Sequence, residues 1–126
     1  LALVDEVVPT YPWAVEAVVA TLGDRGLDTR TCLDLSRRAT FLLELADEAG
    51  VGSKVSRVTV AAAAICAASQ LRKSSVVTAA EVAAAATETL QTSKGAVVTY
   101  ASEIVQMYGE QYGQRAMTRA MLERRV

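Results

Sequence analysis

Catalysis in this chain would have to be built from carboxylates, serines and two cysteines, because its 126 residues contain no histidine. Histidine is the side chain that titrates near neutral pH and the commonest zinc ligand, so a histidine-based triad and the usual zinc site are both excluded. Cys32 and Cys66 lack the C-x-x-C spacing of a metal or redox pair. Cys66 lies in the apolar run from Ala61 to Ala68 and is expected to pack as a small buried hydrophobe, with Cys32 a free intracellular thiol. The adjacent carboxylates Asp5–Glu6 and Asp47–Glu48 imitate acid–base pairs, yet helix neighbours point about 100° apart, so both pairs belong to solvated surface. Ser53, Ser56, Ser69, Ser74 and Ser75 have neither a base nor a strand-turn-helix elbow to activate them. Gly50-Val-Gly52-Ser-Lys54 faintly imitates a phosphate loop, but it follows a helix rather than a strand and lacks the full spacing. The expectation is a non-enzyme that needs no cofactor and no metal.

Chemistry by contact is the alternative, and charge distribution bears on it. The net charge is −1, but residues 1–50 carry 4 basic against 9 acidic groups, whereas residues 51–126 carry 9 against 5. A positive C-terminal half permits an anionic partner, nucleic acid included, without having the density of a dedicated basic arm. Arg115, Arg119, Arg124 and Arg125 concentrate much of that charge at the end of the chain. They either clamp nucleic acid or complement the negative end of their own helix and the acidic N-terminal half.

The elements that would position these groups are all helical. Pro12 suits the first turn of a helix, and Trp13, Ala17, Val18 and Leu22 follow at helical spacing, predicting a first core helix over about 12–22. Trp13 and Tyr11 serve as staple and core anchor there, or as part of a groove for a partner helix. After a loop marked by Gly23, Asp24, Gly26 and Asp28, the residues Leu35, Ala39, Leu42, Ala46 and Ala49 predict a second helix capped by Gly50. Val58 to Leu71 is apolar around nearly its whole circumference, as a helix surrounded by others must be. Thr78-Ala-Ala-Glu81 is a capping box that starts a fourth helix at Ala79, ending near Leu90. A break at Gln91–Ser93 precedes a fifth, with Val97, Ala101, Ile104 and Tyr108 on one face and Val98 and Val105 beside them, expected to stop near Gly109. Residues 114–125 form a basic amphipathic helix with Ala116, Met117, Ala120 and Met121 on one side.

No uninterrupted apolar stretch is long enough to cross a membrane, and LALVDEVV has neither the positive flank nor the cleavage site of a secretory leader. With no alternating β pattern, repeat or low-complexity linker, residues 1–126 make one all-α domain in the cytoplasm. It comprises a five-helix bundle, the core over about 12–109, and an additional C-terminal helix over about 114–125. Alanine and valine rather than rings supply most of the 52% hydrophobic content, aromatics being 5%, which suits closely crossing helices.

The segment from Ser56 to Thr87, SRVTVAAAAICAASQLRKSSVVTAAEVAAAAT, resembles the core repeat of archaeal transcription factor IIB, with its four-alanine run followed by a T-x-x-E-V-A element. The resemblance covers about Trp13 to Tyr108 and implies a cyclin box, here a five-helix cyclin-like bundle, working in transcription initiation. In that family the fourth and fifth helices form a helix-turn-helix whose second member reads promoter DNA. The start of the reading helix there is of the type V-T-x-x-T-I-R-N-R-Y, and the stretch from Leu90 to Tyr100 stands in its place, with Thr99 and Tyr100 but without the arginines. Bidentate base reading therefore loses its usual agents, and what the resemblance implies is phosphate contact through Ser93 and Lys94, with Gln91 and Thr99 beside them and Arg72 and Lys73 helping from the preceding helix. The implied partners are promoter DNA or a protein of the transcription machinery. A stand-alone adaptor that kept the fold and lost DNA is the competing expectation.

Overall fold

The computed structural model describes residues 11–52, 56–72, 77–90, 92–113 and 116–125. Those residues form six helices and no strand: α1 (Tyr11–Asp24), α2 (Thr29–Ala49), α3 (Arg57–Gln70), α4 (Ala79–Leu90), α5 (Lys94–Tyr112) and α6 (Met117–Arg125). The all-helical expectation holds for these residues.

α3 sits at the centre because its sequence has no face to give to water. Every residue from Thr59 to Ser69 is buried, and α1, α2, α4 and α5 all pack against it. Alanines at 61–64 and at 67 and 68 keep the helix thin enough for four neighbours to approach at once. Ile65 and Val60 are among its larger side chains, buried in the same core as Leu35, Leu42 and Leu45 of α2 and Val97 and Ile104 of α5. Cys66 is buried as expected, and burial pushes its thiol above the ordinary range. Cys32 is half-buried and raised by the same cause, so both thiols stay protonated and unreactive at neutral pH.

The helix ends follow local chemistry. Asp28 caps α2 by accepting from the Thr31 amide at 3.1 Å and the Thr31 hydroxyl at 2.7 Å. Gly50 ends the helix in the left-handed conformation, φ 79°, with its amide on the Ala46 and Asp47 carbonyls. Thr78 and Glu81 complete both arms of the expected capping box, at 2.8 and 3.1 Å.

The Asp28 cap carries a pH signature. Its hydrogen bonds with Thr31 hold the carboxyl below the ordinary aspartate value. A carboxyl depressed in the folded state contributes stability that is fully present above its unfolded value, about pH 4, and lost as pH falls through the lowered folded value. Asp28→Asn keeps the cap acceptor but has no proton to gain. Its thermal midpoint is expected to fall less steeply than that of the wild type as pH drops below about 4, and equal acid slopes in the two proteins would remove Asp28 from the account.

Two expectations for α5 require correction. The helix does not stop at Gly109; it runs through to Tyr112 and ends at Gly113, φ 61°, whose amide bonds the Gly109 carbonyl at 2.8 Å. Tyr112 stacks on Tyr108 with ring centroids 5.2 Å apart and meets Phe41 of α2 at 6.1 Å, so apolar contact one turn further on outweighs the weak helix propensity of one glycine. Val98, placed beside the buried face by its spacing, is instead 39% exposed. Since a Cβ at Gly109 meets nothing within 4 Å, Gly109→Ala is expected to stabilise the protein by about 0.5–1 kcal/mol, measured by chemical denaturation. A loss of stability there would mean that the helix is broken at Gly109 after all.

α6 docks through Met117 and Ala120, which are buried in the common core, while Met121 is half-buried and Ala116 and Leu122 are exposed. Its apolar side is narrower than the amphipathic pattern suggested.

Candidate nucleic-acid interface

α4 and α5 are joined by residues 91–93, a connection of the length found in helix-turn-helix units. What fixes that turn is a pair of hydroxyl bonds. The Thr92 hydroxyl meets the Thr59 hydroxyl of α3 at 2.6 Å, both residues being buried at 8% and 7% exposure. The Thr87 hydroxyl of α4 donates to the Thr92 carbonyl at 2.5 Å. The turn is thereby tied to both the central helix and the helix before it. Ser69, near the end of α3, plays a similar part at the other end of α4, donating to the Val77 carbonyl at 2.9 Å and accepting from the Val77 amide at 3.2 Å.

Ser93 follows Thr92 and caps α5, its hydroxyl accepting from the Ala96 amide at 3.2 Å. The Val97 amide bonds the Ser93 carbonyl, so the amides of Lys94 and Gly95 are the ones that helix geometry leaves pointing out of the end. Ser93, Lys94, Gly95, Val98, Thr99 and Ser102 are all exposed. Lys94 and Val98 stack along one line of the helix, and Gly95, Thr99 and Ser102 along the next. The first turn has no acidic residue, so the positive end of the helix dipole is unopposed on its own element. Glu103 and Glu110 appear only further along, which confines any anion-facing surface to the first two turns.

Of the residues expected to touch phosphate, Ser93, Lys94 and Thr99 are thus brought together. Arg72 is not part of that group: just past the end of α3 it forms an ion pair with Asp34 of α2, and it lines a cleft with Arg30 and Arg37. The same Asp34 carboxylate takes the Arg38 Nε at 2.9 and 3.0 Å. Lys73, Gln91 and Arg115 lie outside the described residues, as do Asp5 and Glu6. Arg119 is exposed on α6, and the backbone of α6 carries Arg124 and Arg125, whose side chains are outside the description. Asp47 and Glu48 are exposed at the end of α2, and Ser56 is a helix cap whose hydroxyl accepts from the Val58 amide.

The sequence did not mark Gly95, Val98 and Ser102 as site residues. The signal for Gly95 was a glycine inside a helix with no turn to justify it; a Cβ there meets nothing within 4 Å, so packing within the chain does not require it. Among the described residues no cluster of three or more metal-ligating side chains occurs, and no helix is long and apolar enough to cross a membrane.

No protein-family model matches this chain, and neither curated proteins nor solved structures yield a match.

Proposed function

We propose that this chain is a cyclin-like, transcription-associated module of the cytoplasm that contacts promoter DNA through the first two turns of α5. The observation that carries the reading is the exposed, acid-free start of α5, held in place by the Thr59–Thr92 hydroxyl pair. The four-alanine run and the T-x-x-E-V-A element that suggest the family sit in α3 and α4, where their work is packing and capping.

Contact follows from simple electrostatics. A phosphate oxygen at the start of α5 accepts from the backbone amides of Lys94 and Gly95, with the ammonium of Lys94 beside it. Gly95 lets the nucleic-acid backbone approach without a side chain in the way. Val98 offers an apolar surface to a thymine methyl, and Thr99 and Ser102 offer hydroxyls to base edges or phosphate. Without arginine on this surface, binding rests on the phosphates more than on base identity. The module therefore reads position and shape more than sequence, in company with other parts of the transcription machinery.

Fluorescence anisotropy with a labelled duplex tests this. The wild type is expected to bind with a dissociation constant of about 10⁻⁴–10⁻⁶ M, the range of phosphate-dominated complexes. Lys94→Glu and Gly95→Leu, one reversing the charge and the other blocking the approach, should each weaken binding several-fold while leaving the thermal midpoint near that of the wild type. An adaptor without DNA function would show no binding at low salt, and binding indifferent to both changes would move the contact away from α5.

A further inference from the structure

We propose that the arginine-lined cleft on α2 docks an acidic segment of a partner protein that also carries a leucine-like side chain. The cleft holds about 340 Å³ and is lined by Arg30, Thr31, Leu33, Asp34, Arg37 and Arg72. It is the size of a few side chains, far smaller than a duplex.

Its charge is concentrated against the local trend. Residues 1–50 are acidic overall and contain only four arginines; two of these, Arg30 and Arg37, line the cleft, and a third, Arg38, braces it. Asp34, the one carboxylate in the lining, has both oxygens occupied by Arg38 and is also paired to Arg72, so its negative charge is spent on holding two guanidiniums in place. Arg37 is exposed and makes no hydrogen bond or ion pair among the described residues; Arg30 is exposed too, with Asp28 near enough to feel its charge. Two guanidiniums are thus presented outward from a wall that the Asp34 network keeps rigid. Planar, bidentate guanidinium groups suit carboxylates.

Leu33 decides between kinds of anion. It is 55% exposed in the middle of the arginines, and only Leu122 is a more exposed large hydrophobic among the described residues. An apolar side chain there gains nothing from a sugar-phosphate backbone, but it gives an acidic peptide a place to bury a leucine, and aliphatic contact flanked by charge is how short acidic motifs acquire specificity. The surface is separate from the start of α5: Lys94 takes no part in it, so the docking and DNA readings stand or fall independently.

The test uses a labelled peptide rich in Asp and Glu with leucine at every fourth position, a control of equal charge with serine for leucine, and the labelled duplex. The leucine peptide should bind the wild type, the serine control more weakly. The double change Arg30→Glu/Arg37→Glu should weaken peptide binding about tenfold or more and Leu33→Ser several-fold, with duplex binding unchanged. Because all three side chains are exposed, the thermal midpoint should stay near that of the wild type; should the double variant unfold, Arg37→Ala, which removes a group with no described partner, gives the same reading with a smaller effect. The proposal is overturned if the peptide does not bind, if leucine and serine peptides bind alike, if the variants bind the peptide as the wild type does, or if the duplex loses affinity in parallel with the peptide.

Discussion

Ile65→Ala is expected to cost about 2–5 kcal/mol of stability, the largest single-residue effect on the fold. Ile65 is fully buried in a helix that is packed on by four others, so the methyl groups removed leave a hole whose walls belong to several elements at once. Collapse on one side would pull alanines of α3 away from the neighbours on another, which places the cost toward the upper end for this kind of substitution. Ile65→Val, which removes one methyl, should cost about 0.5–1.5 kcal/mol. Guanidinium denaturation followed by circular dichroism measures both. If Ile65→Ala costs under about 1 kcal/mol, α3 is not the closed centre of the bundle.

The second large effect lies in the turn before α5. Thr92→Val keeps the shape of the side chain and deletes its hydroxyl, leaving the buried Thr59 hydroxyl without the partner it meets at 2.6 Å. An orphaned buried hydroxyl costs about 1–3 kcal/mol, more than the net value of the bond itself. Replacing both, Thr59→Val/Thr92→Val, removes the orphan and should recover much of that loss, so the two changes together should cost less than the sum of each alone. Strict additivity in this cycle would mean that the hydroxyls do not interact and that something else holds the turn.

These two sites also mark how far the sequence could be followed. Features set by neighbours in the chain were legible: the Gly50 cap, the Thr78–Glu81 box, and the burial of α3 all around, since each depends on residues within a turn or two of one another. What depended on distant partners was not. Arg72 looked like a free cation beside Lys73, but its partner Asp34 lies 38 positions away on α2. The Thr59–Thr92 pair spans 33 positions and joins two residues of a type that normally faces water. Gly109 resembled a stop because propensity argued for one, while the reward for continuing, the contact of Tyr112 with Tyr108 and Phe41, is partly tertiary. At the candidate interface, Ser93, Lys94 and Thr99 came from a family resemblance, whereas Gly95 and Val98 stand out only once the outward face of α5 is known.

Measuring the dissociation constant for a labelled duplex at several salt concentrations tests the central claim that the start of α5 contacts phosphate. The plot of log K against log salt should slope downward by about 2–3, a few phosphates' worth of released counterions, and Lys94→Glu should flatten it by about one. A duplex that does not bind even at the lowest salt, or a slope that Lys94→Glu leaves unchanged, would contradict it.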